Sequence, residues 1–273
     1  VVASGVASAA DETGSGDDTG SSDLRAEEAL AERFAPVMML VAQQDKCGAG
    51  EPYQPSDVEV LLDNDSVALR GPWTGTDLVE VAPDAERLSE GLRDYALDLP
   101  PDPLDPGCDY ETWAARQWGK DATPTIYAHV AREKGVTDRL ALQFAFYYPF
   151  NDYNNKHESD WERIQLEFAT ADPAQALTMT PDRVVYAQHY GSESASWEAR
   201  KLEVLDETHP VVYVSAGSHA SQYSEGLFLG NNESTGFGCD TTVGPHREVR
   251  PTVRTIPSDP EAAVAAYPWI AYE

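Results

Sequence analysis

The sequence predicts a mainly β fold: an antiparallel β-sandwich decorated by short, mostly N-terminal helices. Three observations carry this expectation. Beyond residue 124, runs 125–131, 139–150, 160–168, 183–190, 200–205 and 211–216 are enriched in β-branched and aromatic residues. Short, turn-rich stretches separate them, as in a meander. No long helical pattern intervenes, which disfavours βαβ units and a parallel sheet.

The elements follow in order. Residues 23–35, "DLRAEEALAERFA", read as a helix with Ser22 or Asp23 as N-cap, acids in the early turns and a stop at Pro36. Residues 37–42 (VMMLVA) read as a short buried strand. Runs 58–62 and 66–69 flank "DND" and read as a hairpin. Residues 84–95 have helical spacing (Leu88, Leu92, Tyr95) behind an Asp cap. Residues 99–107, "LPPDPLDPG", read as a rigid loop, and 109–118 as a short aromatic helix.

The chain has 273 residues, enough for one large domain. Residues 1–22 are expected to be a signal-peptide remnant and a disordered acidic linker, and 23–273 a single domain. Ala7-Ser8-Ala9 has the small-x-small pattern of a signal-peptidase site, and the Gly/Ser/Asp/Thr tract after it lacks apolar residues. The net charge of −28 repels nucleic-acid phosphates and anionic lipid, so nucleic acid is not an expected partner. Diffuse acidity of this kind specifies solubility rather than a site. No run approaches the roughly 18–20 apolar residues of a membrane span. Three cysteines permit one disulfide, expected between Cys47 and Cys108, and no C-x-x-C motif suggests zinc.

The stretch "NDYNNKHESDWERIQLEF", 151–168, carries the chemistry. Leu140, Leu142, Phe144, Phe146 and Tyr148 share one face of the preceding strand. In 160–168, period 2 places Asp160 and Glu162 on the face of Ile164, Leu166 and Phe168. A buried carboxylate is costly unless it is paired, hydrogen-bonded or bound to metal, and two neighbouring ones repel. A divalent cation meets both demands with oxygen ligands, as Mg²⁺, Ca²⁺ or Mn²⁺; an imidazole from His157 tilts the preference toward Mn²⁺ or Zn²⁺ over Ca²⁺. The pattern alone equally admits ion pairs with Arg163 or Arg183. A hairpin of 139–150 with 160–168 brings Asn151 and Asp152 to the same end. Continuing the meander brings His189, and then His219, to that rim as well. Ser218-His219 has no G-x-S-x-G elbow around it, and "HESD" is not H-E-x-x-H. Asn232-Glu233-Ser234 matches a glycosylation sequon.

The ordered motifs "RFAPVMMLVAQQDKCGAGEPYQPSDVEVLL", "YYPFNDYNNKHESDWERIQLEF" and "HPVVYVSAGSHASQY" resemble the Vps62-related family, in its bacterial exported branch, from about Glu32 to the end. The closing "YPWIAYE" looks like a cut short of further family-like sequence. The central motif is also similar to the G-H-R-H-D-W-E of the necrosis- and ethylene-inducing (NLP) proteins, a secreted β-sandwich family. That resemblance implies a divalent cation held by His157, Asp160 and Glu162. The family's upstream Asp ligand aligns with Asn151, with Asp152 beside it. Ser159 stands where Vps62-related proteins usually have Gly, a strained choice if the turn needs positive φ.

With the resemblance, metal is favoured over an ion-pair network, with Zn²⁺ the least favoured cation. The expected function is an exported metal-binding domain that recognises a glycan or lipid headgroup through the cation. One alternative is a metal-dependent hydrolase with His189 or His219 as base; another is an envelope protein with a metal-stapled loop. The expected location is secreted or extracellular, as a free domain or the ectodomain of a membrane-anchored protein.

Overall fold

The computed structural model describes residues 16–72, 77–119, 121–189, 191–232 and 236–272. Its elements, in chain order, begin with α1 (Gly16–Arg33), β1 (Val37–Val41), a 3-10 turn (Val58–Leu61), β2 (Ala68–Arg70), β3 (Leu78–Val81), α2 (Ala85–Leu88), β4 (Ala96–Asp98) and α3 (Asp109–Gln117). Then come β5 (Thr125–Ala131), β6 (Leu140–Asn151), β7 (His157–Phe168), α4 (Pro173–Ala176), β8 (Arg183–Gln188) and β9 (Gly191–Ser196). The last third holds β10 (Val204–Leu205), β11 (His209–Val214), β12 (Ser221–Gln222), β13 (Leu227–Asn232), β14 (Gly236–Thr241), β15 (His246–Val249), β16 (Thr252–Ile256), α5 (Pro260–Ala266) and a final 3-10 turn (Pro268–Ala271).

The fold is mainly β. One sheet runs β16-β5-β6-β7-β8-β9; a second runs β10-β11-β1-β15 with β12 on β11. A small sheet β3-β2-β4 and the hairpin β13-β14 flank them. β6 alternates buried and half-buried side chains over Leu140–Ala145, then is buried throughout to Asn151, so its outer face is also covered at the rim end. The two large sheets are joined across the core by ring and hydroxyl contacts. Tyr186 on β8 stacks on Tyr223 at 4.1 Å, and its hydroxyl donates to the Val211 carbonyl of β11 at 2.7 Å. Phe34, just after α1, meets Phe168 and Trp197 edge-on at 5.2 and 6.0 Å, closing one end of the core. The disulfide Cys47–Cys108 ties the loop after β1 to the start of α3, and Cys239 is free. Among the described residues no helix is long and apolar enough to cross a membrane.

Four expectations need correction. α1 starts at Gly16, so residues 16–22 are helix and not disordered linker; residues 1–15, with Ala7–Ala9, lie outside the described residues, as do Tyr190 and the Glu233 and Ser234 of the sequon. The upstream arm of the expected 58–69 hairpin is a 3-10 turn, because the Asp57 carboxylate caps it by accepting from the Glu59 N–H at 3.0 Å. The helix expected over 84–95 lasts one turn: Asp84 caps it, but Gly91 and Asp94 adopt positive φ of 70° and 71°. The meander continues only to β9. That strand buries little beyond Ala195, so it offers no apolar face to a further neighbour. β11, apolar on nearly every residue, instead enters the second sheet beside β1. β1–β11 and β16–β5 are parallel pairs, formed between strands distant in sequence rather than by βαβ units.

Candidate metal centre

One hairpin builds the rim. β6 and β7 pair from Leu140↔Phe168 through Phe146↔Glu162 and Tyr148↔Asp160 to Asn151↔His157. Strand parity sends Asp160 and Glu162 to the core face: Glu162 is 7% exposed and the Asp160 side chain 13%. The ladder omits a pair at Pro149, which has no N–H to give, and Ser159 across from it takes φ 61°. Its hydroxyl meets the Tyr147 hydroxyl at 3.0 Å. A left-handed non-glycine residue costs on the order of 1 kcal/mol, and this one keeps Asp160 in register with Tyr148.

His157 sits at the mouth. Its Nε2 faces Asp160 Oδ1 at 3.5 Å; its Nδ1 lies 2.9 Å from the Asn155 carbonyl and 3.0 Å from Asn151 Nδ2. The hydrogen bond to Asp160 raises the pKa of His157 against the opposing effect of burial. Asn151 is buried, and its Oδ1 has no hydrogen-bond partner. Asp152, by contrast, is half exposed and pairs with Lys156 at 3.5 Å, away from this group.

The counter-charge to Asp160 is neither of the expected arginines. Arg183 pairs with Glu167 at 2.7 Å, and Arg163 is exposed on the opposite face. It is His219, fully buried, whose Nδ1 donates to Asp160 Oδ2 at 2.7 Å and whose Nε2 faces Glu51 Oε1 at 3.3 Å. Burial alone would lower the His219 pKa; the Glu51 charge and the bond to Asp160 push it up to about 10. Burial would likewise raise Asp160, but His157 and His219 bring it down to about 2. Tyr148 stacks flat on the imidazole at 3.9 Å. Glu51 is further held by the N–H groups of Tyr53 (3.0 Å) and Gly217 (2.7 Å). Gly217 is required here: at φ 80°, a Cβ would lie 2.7 Å from the Asp152 carbonyl oxygen.

Glu162 differs from its neighbour. No hydrogen bond or ion pair reaches its carboxyl among the described residues. Burial, and then the Asp160 charge, hold its pKa well above the carboxylate range. Beside it lies a second cluster, in which Asp240 accepts from Ser218 Oγ at 2.5 Å and meets His189 Nε2 at 2.9 Å. Tyr153 stacks over His189 at 5.5 Å. His189 keeps Nδ1 unused in that contact, whereas both His219 nitrogens are engaged.

The structure thus links Asn151, His157, Asp160 and His219 in a chain of contacts, with Glu162 on the same face and Asp152 turned away. Among the described residues, no three His, Cys, Asp or Glu side chains stand close enough, as placed, to hold a metal ion. Glu51 and Asp240 escaped the sequence reading, since neither lies in a periodic run. The sequence signal for Glu51 is its place in the motif "APV…E…PSDVE", between the Gly50 turn and Pro52.

No family model and no curated protein matches the chain, so the Vps62-related resemblance rests on its motifs. Solved NLP proteins are structurally similar at a low level. NLPPya in complex with glucosamine aligns at TM-score 0.40 and 15% identity, over 88% of this chain and 78% of that one. A structure described as a toxin fold for microbial attack and plant defense aligns at 0.39 and 14%, over 88% and 79%. The non-toxic HaNLP3 protein aligns at 0.35 and 15%, over 78% and 83%. At that level of identity and superposition, a shared ligand does not follow.

Proposed function

We propose that this chain is an exported β-sandwich domain that holds a divalent cation at the hairpin rim and uses it to recognise a glycan or lipid headgroup. His157, Asp160, Glu162 and Asn151 are the protein ligands. The observation that carries this reading is an unmet acceptor, the buried Asn151 Oδ1, at the rim where Asp160 and His157 meet, with the Glu162 carboxyl on the same face. Buried acceptors without donors are costly, and a hard cation supplies what they lack. Asn151 is preferred to Asp152, whose carboxyl faces Lys156. Three oxygen donors and one imidazole suit Mg²⁺, Ca²⁺ or Mn²⁺ better than Zn²⁺. When bound, the cation would offer open positions to ligand hydroxyl or phosphate oxygens. The Cys47–Cys108 disulfide supports the exported location.

Metal analysis and calorimetric titration with Mg²⁺, Ca²⁺ and Mn²⁺ test the centre. Wild type should bind one equivalent, and Asp160→Ala and Glu162→Ala should lose it. Equal, near-zero binding in all three proteins overturns the reading. Glycan and lipid arrays with and without chelator then test recognition.

One observation favours a second reading, metal-dependent hydrolysis. His189 is half-buried and oriented by Asp240 at 2.9 Å, as a general base would be. His219, with both nitrogens facing carboxylates, is not placed for that role. Turnover of a phosphodiester or ester substrate by the metal-loaded protein, lost in His189→Gln, would select this reading.

A further inference from the structure

The opposite face of the same hairpin carries a separate cleft of about 530 Å³. Trp161 points into it from β7, between Asp160 and Glu162, and remains 44% exposed. Rings surround it: Tyr147 at 5.2 Å, Tyr127 at 5.9 Å and Trp269 at 6.2 Å, with Trp269 also 5.3 Å from Tyr127. The 3-10 turn at Val58–Leu61 and the final turn at Pro268–Ala271 form apolar walls.

Glu158 and Ser159 are the lining residues with a carboxyl and an aliphatic hydroxyl. Ser159 is taken by Tyr147. The Glu158 carboxyl accepts from the Tyr110 hydroxyl and from the Leu99 N–H at 3.0 Å, both neutral donors. Among the described residues, no Lys, Arg or His lines the cleft. It is therefore an aromatic recess with one carboxyl and no cation, on a chain of net charge −28.

Its chemistry discriminates between ligand classes. An anion is repelled. A sugar ring would set several hydroxyls against a mostly apolar wall where Glu158 and Ser159 are already engaged and, among the described lining residues, Trp269 Nε1 is the one buried donor without a partner, leaving most of them unmet. An organic ammonium ion places its charge over electron-rich ring faces and near the carboxyl, while its hydrocarbon part covers the apolar walls; the ring quadrupole attracts such cations most strongly at Trp.

We propose that this cleft binds an organic ammonium ion with an apolar body, its charge held against the exposed Trp161 ring beside Glu158. The site is separate from the hairpin-rim centre and does not depend on it.

Benzyltrimethylammonium is the probe, followed by tryptophan fluorescence and calorimetry in about 0.3 M NaCl, where diffuse attraction to the acidic surface is screened within roughly 6 Å. Its uncharged isostere, neopentylbenzene, is the comparator. The cation should bind at least about tenfold more tightly than the isostere. Glu158→Gln should weaken the cation by about tenfold and leave the isostere unchanged. Trp161→Phe, which keeps a ring, should bind more weakly than wild type but better than Trp161→Leu; thermal melts establish that each variant is folded. Equal binding of cation and isostere, or wild-type affinity in Glu158→Gln, overturns the proposal. Co-sedimentation with phosphatidylcholine vesicles separates the sources: pull-down points to a lipid headgroup, and binding of the free amine alone to a soluble ligand.

Discussion

His219 Nδ1 donates to Asp160 Oδ2 at 2.7 Å, joining the turn after β11 to the rim of β7 across the two sheets. Glu51 completes the chain from the other ring nitrogen, and both Glu51 and His219 have fully buried side chains. Removing one member strands the others. His219→Ala is expected to cost about 3–5 kcal/mol, the usual result of leaving a buried charge unpaired. The double variant His219→Ala/Glu51→Ala should cost less than the sum of the single changes. Urea unfolding of the four proteins in this cycle measures both effects; strict additivity would show that the residues do not act as a unit.

The hairpin register depends on two backbone positions. Ser159→Val puts a β-branched side chain at φ 61° and removes the bond to Tyr147, and should destabilise by about 2 kcal/mol. Gly217→Ala drives a Cβ to within 2.7 Å of the Asp152 carbonyl oxygen and should displace the 152–156 loop. Chemical-shift changes centred on 151–157 check the second effect.

The Cys47–Cys108 bridge closes 61 residues of sequence. Chain-entropy arguments give such a loop roughly 4 kcal/mol of stabilisation. Cys47→Ser/Cys108→Ser should lower the unfolding free energy by about 2–4 kcal/mol, with Cys239 left in place to exclude a simple thiol effect.

His189 makes stability depend on pH with a defined sign. The hydrogen bond to Asp240 raises its folded pKa, burial opposes this, and the charges of Asp240 and Asp160 add to the rise. A raised histidine contributes stability that is fully present below its unfolded pKa of about 6.5 and is lost as pH rises through the folded value. Wild type minus His189→Gln should therefore show a stability difference that is largest near pH 5.5 and shrinks above pH 6.5. A difference independent of pH would refute the Asp240 pairing.

The architecture was legible where local pattern and tertiary environment agree. Strands 139–150 and 160–168 bury the alternate residues that their period-2 pattern marks over Leu140–Ala145 and Trp161–Phe168, where one face lies on the core, while 125–128 and 146–151 are covered on both faces. The inward placement of Asp160 and Glu162 follows from the same parity. Pattern failed where side-chain capping overrode it. The Asp57 carboxylate turned 58–61 into a 3-10 turn, and positive φ at Gly91 and Asp94 cut short the helix after Asp84.

The sequence by itself determined which face of β7 carries the carboxylates and that a hairpin brings Asn151 to the end where Asp160 lies. These depend on contacts within a few residues or one strand pair. Tertiary structure alone decided what neutralises Asp160. His219 and Glu51 lie 59 and 168 residues from their partners, Asp160 and His219. The strand pattern brought His219 to this rim, but neither its pairing with Asp160 nor the arrival of Glu51 follows from periodicity. They meet because β11 left the meander to pair in parallel with β1, which carried the His219 turn back over the rim.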